Sequence, residues 1–316
     1  MSSFFEKILI LRKEASLIFR FYLRWRGMRP NTLKYVYMAD GRMNSSGMFD
    51  RLKGMVSIYA LSMAQGKRFV INHVIPFRLE DYLQPNDYDW RCDNIQCCIF
   101  YNSPIIVCPS NFSRLISIKR EKHFYIGFDI INHINAFYHT NFDFGDLYRK
   151  LFKPTAHLQA KIDENIMKIG SCNFISVHLR LVNLLGDKTE KLKEFGQIEQ
   201  SEADILLKDL KEIISQIASD NPNHKIVLAT DSNIFRQYIK EKIPCIYCVP
   251  GNIIHVGNTD TASDEEVLKM FTDYYLLSLS EKVYSIVGRG LYSSQFPFYA
   301  AKIGNKPFER VRLQEK

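Results

Sequence analysis

The sequence contains no run of about 20 uncharged apolar residues, which is the length that a helix needs to cross a bilayer. Its seven cysteines are odd in number and scattered, and no apolar leader with a small-residue cleavage site is apparent at the amino terminus. We therefore expect free thiols and a cytoplasmic protein. Internal repeats and low-complexity segments are also missing, so neither a solenoid nor a largely disordered chain is indicated.

Signals of metal and nucleic-acid binding are missing too. Cys245 and Cys248 form a single Cys-x-x-Cys pair on a predicted strand, where their side chains project to opposite faces, so we assign them to the core. No Asp-x-Asp pair of carboxylates follows a predicted strand. The 22 Phe and 17 Tyr are dispersed, without interleaved bases beyond the amino terminus. Neither a bound metal nor a nucleic-acid partner is expected.

Positive charge is concentrated at the amino terminus. Lys plus Arg number 42 against 34 Asp plus Glu, a net charge of +8, and residues 1–30 hold seven of the bases and two of the acids. On a helical wheel, an apolar face opposes a basic stripe of Lys13, Arg20 and Arg24. The apolar face comprises Phe4, Leu11, Ala15, Ile18 and Tyr22. Two interpretations remain open: residues 1–28 dock on their own domain, or they contact the inner face of an anionic membrane peripherally.

The length and the periodicity predict two α/β domains. A chain of 316 residues exceeds the roughly 250–300 at which single cores stop growing. Strands at 35–39 and 68–72 flank a predicted helix, whereas the stretch up to residue 141 has short strand-like runs at 105–108 and 123–128 that we cannot order. A helix is predicted at 154–169. Strands are then predicted at 174–179, 226–229, 245–249 and 283–287, and helices at 203–218, 234–241, 265–280 and 294–303. We expect a domain at 1–160 and a second at 161–316, the second with a parallel sheet covered on both faces.

Ligands of open α/β sheets bind beyond the carboxyl ends of the strands, so we sought candidate residues there. His178 and Arg180 end one strand, and Asp231 follows the next. A solvated arginine and a helix N-cap are the ordinary alternatives for these positions. Asp273 interrupts an apolar helix, where a carboxylate needs a partner. Ser293 and Ser294 enter the last helix from a glycine turn, and they indicate either a phosphate site or a simple cap.

Several segments, in this order, resemble a known family. They are Ile-Ser-Val-His-Leu-Arg at 175–180, Leu-Ala-Thr-Asp at 228–231, Asp-Tyr-Tyr-Leu-Leu-Ser at 273–278 and Tyr-Ser-Ser-Gln at 292–295. They are similar to segments of the GDP-fucose-dependent fucosyltransferases of the α1,2, α1,6 and protein O-fucosyl superfamily. Residues 46–52 and 66–71 resemble the first loop and second strand of its nodulation-type α1,6 branch.

This resemblance implies an α/β protein of the GT-B fold, with two Rossmann-like domains facing a cleft, and an inverting, metal-independent glycosyl transfer. Arg180 would neutralise the leaving diphosphate, which agrees with the chemistry of a guanidinium. His178 and Asp273 would contact guanine, and Ser293 and Ser294 would hold phosphate. A carboxylate suits guanine because it can accept from N1–H and the exocyclic amine together.

The resemblance also assigns partners and further residues. Gly47 and Asp50 would lie in the facing loop near the donor, and Asp231 would belong to the donor site. The donor would be GDP-fucose or a related nucleotide sugar, with no separate cofactor. The acceptor would be a glycan hydroxyl, for example of a surface polysaccharide.

The resemblance determines neither which residue is the general base nor whether the protein turns over its donor. A base must be a carboxylate near Arg180, and Asp187 fits the spacing of the α1,6 branch better than Glu190, while a base outside this loop remains an alternative. Leu181, Val182 and Asn183 stand where the α1,2 and α1,6 branches often carry a second Arg and then an Asp. The alternatives to a fucosyltransferase are therefore a GT-B-like nucleotide- or glycan-binding protein with little turnover and a transferase of another nucleotide sugar.

Overall fold

The computed structural model describes residues 2–23, 33–43, 46–92, 95–107, 120–170, 173–187, 196–251 and 261–314. The chain divides into two compact units, one ending at Thr155 and the other beginning at Ala156, apart from a short segment ending at Ala262 that groups with the first. The expected boundary after residue 160 lies within the first helix of the second unit.

The first unit is built on a parallel sheet. Its strands are β1 (Lys34–Ala39), β2 (Arg68–His73), β3 (Leu83–Pro85), β4 (Asn102–Ile106), β5 (Glu121–Tyr125) and β6 (Phe152–Pro154). Its helices are α1 (Ser2–Leu17), α2 (Met48–Ala64), α3 (Ile131–Tyr138) and α4 (Phe144–Leu151). The parallel sheet has the order β2-β1-β5-β4, and β3 pairs with β6 in a separate antiparallel ribbon.

The helix between β1 and β2 closes the predicted βαβ unit. Most of α2 is buried, since it packs on β1, β2, α3 and α4. Gly54 allows the close approach: a Cβ there would lie 2.3 Å from the carbonyl oxygen of Ile126, just beyond β5. A larger residue at this position would push the helix off the sheet.

Helix α1 docks on the first unit, and a π-helical turn at Ile18–Tyr22 continues it. Ile10 and Leu17 are buried in a core cluster with Val36, Met38, Val70, Ile106 and Tyr125 of the sheet. The carboxylate of Glu14 accepts a 3.0 Å hydrogen bond from the Ile106 amide, and the Tyr22 hydroxyl lies 2.8 Å from Nδ1 of His123. The helix is thus held by polar as well as apolar contacts.

The docked face agrees only in part with the one that the helical wheel predicts. Tyr22 is buried as expected and Ile18 is partly buried, whereas the side chain of Phe4 lies outside the described residues. Leu11 and Ala15, which were expected on the apolar face, are exposed, and Glu14 is buried instead. The wheel assigns a carboxylate to water, whereas here a backbone amide of β4 satisfies it. An apolar stripe consequently remains on the surface, including Leu11 at 52%, Phe19 at 76% and Leu23 at 50% exposure.

The second unit has a five-stranded, wholly parallel sheet. Its strands are β7 (Phe174–Leu179), β8 (Lys225–Thr230), β9 (Ile246–Tyr247), β10 (Val283–Val287) and β11 (Phe308–Arg312), in the order β11-β10-β7-β8-β9. Its helices are α5 (Ala156–Ile169), α6 (Gln200–Asp220), α7 (Asn233–Lys242), α8 (Asp264–Leu279) and α9 (Phe296–Gly304).

Alternate residues of β7 face the two layers of helices. Ile175, Val177 and Leu179 enter a core cluster with apolar residues of α6 and α7. On the other side, α8 packs on β7 and β8, between α5 and α9. This two-sided cover explains why the strands read as continuous apolar runs.

The predicted alternation after residue 170 is confirmed, and β7 and β10 have the predicted bounds. The strand runs predicted at 105–108 and 123–128 begin earlier, as β4 and β5, where Glu121, Lys122 and His123 are buried polar residues. Strand β11 was not predicted because its sequence, Phe-Glu-Arg-Val-Arg, has largely exposed side chains on an edge strand. Among the described residues, Cys92, Cys97, Cys98, Cys245 and Cys248 form no disulfide.

Candidate functional site

His178 lies near the carboxyl end of β7, between β8 and β10. It pairs in register with Ala229 of β8 and Ser285 of β10, and it is 8% exposed. Burial, reinforced by the positive charge of Arg180, lowers the pKa of its imidazole to about 3. The ring is therefore neutral at ordinary pH, and its centroid lies 5.3 Å from that of Phe296.

The guanidinium of Arg180 is held on two sides at the end of the same strand. Its central carbon lies 4.6 Å from the ring centroid of Tyr292, in a cation–π contact. Its Nε lies 3.6 Å from a carboxylate oxygen of Asp231, and its side chain is 15% exposed. The Arg180 carbonyl accepts a 3.0 Å hydrogen bond from the Tyr292 amide, so the turn before α9 and the end of β7 are joined directly.

Asp231 fixes the backbone that carries this arginine. Its two carboxylate oxygens accept from the amides of Leu181 at 2.7 Å and Val182 at 2.9 Å. Val182 has φ of 57°, a left-handed conformation that is costly for a β-branched residue. The carboxylate hydrogen bonds offset this strain and shape the turn that follows Arg180. The assignment of Asp231 to the donor site remains a prediction.

Asp187 lies at the start of α7. One carboxylate oxygen, Oδ2, accepts from the Ser232 hydroxyl and from the Ile234 amide, each at 2.8 Å. Ser232 in turn caps the helix by accepting from the Phe235 amide at 3.1 Å. The other oxygen of Asp187, Oδ1, is buried and has no hydrogen-bond partner in the part of the chain that the structure describes. Asp187 thus has a structural role, with one oxygen left over; its role as base stays a prediction.

The turn before α9 contains the two serines. Gly288, Arg289 and Gly290 all have positive φ, and a Cβ on Gly288 would lie 2.6 Å from the Leu313 carbonyl oxygen. Ser293 is exposed, whereas Ser294 is buried and its hydroxyl accepts a 3.2 Å hydrogen bond from the Phe296 amide. The helix begins at Phe296, two residues later than predicted, so both serines lie in the approach to its N-terminus. Amides at such a position favour an anion.

Asp273, in the middle of α8, pairs with Lys269, which was not among the predicted site residues. Nζ of Lys269 donates to Oδ2 of Asp273 at 2.6 Å, and the side chains are 6% and 13% exposed. Burial raises the pKa of the Asp273 carboxyl, while the positive charges of Lys269 and Arg236 oppose that rise. The i, i+4 spacing of the pair was visible in the sequence, but its burial was not.

The remaining predicted site residues lie elsewhere. Gly47 and Asp50 belong to the first unit, at the start of α2, where Asp50 forms a 2.6 Å ion pair with Lys53. Glu190, the alternative base, lies outside the described residues. The structure therefore brings together Arg180, Asp231 and the turn at Tyr292, all within the second unit. Tyr292 belongs to the segment Tyr-Ser-Ser-Gln at 292–295, but its contact with Arg180 is a tertiary one that the sequence does not show.

No group of three or more His, Cys, Asp or Glu side chains among the described residues could hold a metal ion. The arrangement instead presents a guanidinium, a hydroxyl-bearing turn and helix amides beyond the carboxyl ends of the parallel strands. These are the groups that bind phosphate in proteins.

Comparison with solved structures shows the fold. The chain is similar to a fucosyltransferase NodZ from Bradyrhizobium, with a TM-score of 0.53 at 13% identity over 85% of this chain and 92% of that one. A NodZ α-1,6-fucosyltransferase soaked with GDP-fucose gives a TM-score of 0.52 at 13% identity over 86% and 93%. A variant of Arabidopsis thaliana FUT1 in complex with GDP gives 0.55 at 10% identity over 97% and 75%. No protein-family model and no curated protein sequence matches the chain.

These similarities confirm the α/β, GT-B class of fold that the sequence resemblance implies. The fold alone does not define an activity, because one fold serves many functions. The activity has to be argued from the residues that the fold positions.

Replacing Asp231 should loosen the turn that carries Arg180. Asp231→Ala leaves the amides of Leu181 and Val182 without their carboxylate acceptor, so we expect the free energy of unfolding to fall by about 1–3 kcal/mol. Urea denaturation of the purified protein measures this change. The control is Asp204→Ala, an exposed carboxylate on α6. Equal stability of the two variants would show that Asp231 does not hold the turn.

Proposed function

We propose that the protein is an inverting, metal-independent glycosyltransferase that transfers fucose from GDP-fucose to a glycan hydroxyl. The observation that carries the proposal is the fixed guanidinium of Arg180, held by Asp231 and Tyr292 at the carboxyl end of β7. It is supported by the fold shared with NodZ and FUT1, whose structures include GDP-fucose-soaked and GDP-bound forms.

Arg180 is suited to stabilise the leaving group. When the bond between the sugar C1 and the β-phosphate oxygen breaks, its electron pair stays on that oxygen and negative charge grows there. A guanidinium already held in place stabilises this charge without reorganisation in the transition state. The approach to α9 brings the exposed Ser293 and the positive end of the helix to the same diphosphate, while the Ser294 amide already donates to the Tyr292 carbonyl.

The acceptor hydroxyl attacks C1 from the face opposite the leaving group, which inverts the anomeric centre. A base takes the hydroxyl proton. Oδ1 of Asp187, in the segment that follows Arg180, has no hydrogen-bond partner among the described residues and so keeps its capacity to accept. We retain Asp187 as the proposed base, because its second oxygen holds the side chain in position against α7.

The protein is proposed to work in the cytoplasm, with α1 in peripheral contact with the inner face of a membrane. Within the described ranges, no helix is both long and apolar enough to span a bilayer. Helix α1 docks on the first unit, however, and Leu11 on α1 stays exposed, as do Phe19 in the π-helical turn and Leu23 after it. The exposed bases Arg12 and Arg20 accompany this stripe, and their charge complements anionic lipid headgroups.

Removing the guanidinium should affect turnover more than binding. Arg180→Ala is expected to reduce the release of GDP from GDP-fucose by about 10²–10³, with a smaller loss of GDP affinity because other phosphate contacts remain. A GDP-release assay with a glycan acceptor mixture and titration calorimetry with GDP provide the two measurements. Arg310→Ala, an exposed arginine on the edge strand β11, is the matched control.

The same assay separates the alternative functions. Release of nucleotide from GDP-mannose or a UDP-sugar, but not from GDP-fucose, would identify a transferase of another donor. GDP binding without release from any nucleotide sugar would favour a binding protein with little turnover. Turnover of Arg180→Ala within threefold of wild type would remove Arg180 from the mechanism.

Chelation should leave the activity intact. In the proposed mechanism a guanidinium and backbone amides, rather than a divalent cation, stabilise the leaving diphosphate. GDP release measured before and after EDTA treatment is expected to agree within twofold. Loss of activity that Mn²⁺ or Mg²⁺ restores would contradict the metal-independent mechanism.

The apolar stripe on α1 should determine vesicle binding. Leu11→Ser combined with Phe19→Ser removes exposed apolar area without disturbing the docked face, so cosedimentation with phosphatidylserine-containing vesicles should weaken at least tenfold. Binding by the wild-type protein should also weaken as salt rises.

Met167→Ser is the control for this experiment, because Met167 is 74% exposed on α5, in the second unit. Its vesicle binding should equal that of the wild type. Failure of the wild-type protein to bind anionic vesicles would refute the membrane contact.

A further inference from the structure

The ion pair of Lys269 and Asp273 is unusually enclosed for two charged side chains on one helix. Their side chains are only 6% and 13% exposed, and Nζ lies 2.6 Å from Oδ2. Taking both charges out of water is costly, and apolar residues of similar volume would often stabilise a fold as well or better. Stability of α8 alone therefore does not account for the pair.

One oxygen of the pair is left without a donor. Oδ1 of Asp273 is buried, and the residues that the structure describes offer it no hydrogen bond. An unsatisfied buried carboxylate oxygen is expensive, since it has lost water and gained nothing. Its cost would be offset by a ligand that brings an N–H group to it.

The pair lies next to the loop that follows β9, at the carboxyl end of the sheet. A Cβ on Gly251 would lie 3.5 Å from Cδ of Lys269, so the lysine stem packs under this loop. The guanidinium of Arg236 fixes the loop by donating to the carbonyls of Val249 at 3.3 Å and Gly251 at 3.1 Å. Nucleotides that bind to open α/β sheets lie beyond this carboxyl end of the strands.

Aromatic packing connects the middle of α8 to the end of β7. The rings of Tyr274 and His178 each lie 5.3 Å from the ring of Phe296, centroid to centroid. The middle of α8 therefore packs next to the strand that carries Arg180. Asp273 is the residue before Tyr274 on this helix.

We propose that Lys269 is a base-reading residue: it donates to O6 of the same guanine whose N1–H and N2–H groups the family resemblance assigns to Asp273. This inference rests on the proposed function, which supplies the GDP-sugar donor. Lys269 and the two oxygens of Asp273 form an array of one donor and two acceptors. The edge of guanine presents the complementary array: O6 accepts, and N1 and N2 donate.

The same array rejects adenine. Adenine presents an amine at position 6 and an acceptor at N1, so it would place a donor against the ammonium and an acceptor against the carboxylate. Hypoxanthine keeps O6 and N1–H and lacks only the exocyclic amine. Lys269 should therefore strengthen the binding of GDP relative to ADP, and that of IDP relative to ADP, by similar factors.

The test is titration calorimetry of the full chain with GDP, IDP and ADP. Lys269→Met should weaken GDP and IDP about tenfold to a hundredfold, since each loses a charge-assisted hydrogen bond, and should leave ADP within threefold. Lys242→Met, an exposed lysine at the end of α7, is the matched control and should change none of the three affinities.

A variant that removes both charges guards against misfolding of the single variant. Lys269→Met with Asp273→Leu replaces a buried ion pair with apolar residues, which folds tolerate. It should bind GDP, IDP and ADP with affinities within threefold of one another. A retained preference for GDP and IDP over ADP in this variant would overturn the proposal.

The outcomes also separate this inference from the function on which it rests. Equal weakening of all three nucleotides by Lys269→Met, or no change, would assign Lys269 a structural role only and leave the fucosyltransferase proposal standing. A wild-type protein that binds ADP as tightly as GDP would overturn the base-reading role. No binding of any nucleotide by the wild-type protein would refute the proposed function itself.

Discussion

The hydrogen bonds from the Leu181 and Val182 amides to the Asp231 carboxylate are the constraint on which the candidate site depends. They hold a left-handed valine immediately after β7, and they bring the negative charge of Asp231 to within 3.6 Å of the Arg180 guanidinium. Tyr292 covers the other side of that guanidinium. A cation at a strand end would ordinarily move freely in water, whereas here it is pre-oriented, which is what stabilising a developing charge requires.

Burial determines the electrostatics around this cation. The imidazole of His178 is neutral because it is enclosed and because Arg180 lies nearby, so it adds hydrogen-bonding capacity and no charge. Asp273 is also enclosed, but Lys269 compensates its charge. Arg180, held between Asp231 and Tyr292 at the end of β7, is the cation that we propose for the diphosphate.

The parallel architecture was predictable because strands buried on both faces leave continuous apolar runs between amphipathic helices, as at 174–179 and 283–287. Strands and helices with mixed polarity could not be predicted in this way. Strand β11 has largely exposed side chains, and β5 begins with Glu121 and Lys122, which are buried with Asn102 and Tyr35 as hydrogen-bond partners. The docked face of α1 was predicted only in part for the same reason: Glu14 is buried through an amide 92 positions away.

The candidate site shows the same division. The carboxyl ends of strands and an isolated charge on an apolar helix can be recognised in a sequence. Such positions led to His178 and Arg180 at the end of a strand, and to Asp273 on a helix. The capping role of Asp187 could not be recognised, because it joins residues 45 positions apart. The i, i+4 spacing of Lys269 and Asp273 was visible in the sequence. The burial of the pair was not, because it involves the loop after β9, which packs on the lysine stem.

The most direct measurement is a crystal structure of the protein with bound GDP. The account predicts that the diphosphate lies within hydrogen-bond distance of the Arg180 guanidinium and of the turn at Ser293 and Ser294, with Asp231 still bound to the amides of Leu181 and Val182. A diphosphate bound elsewhere on the chain, with Arg180 still turned towards Asp231 and Tyr292 alone, would contradict it.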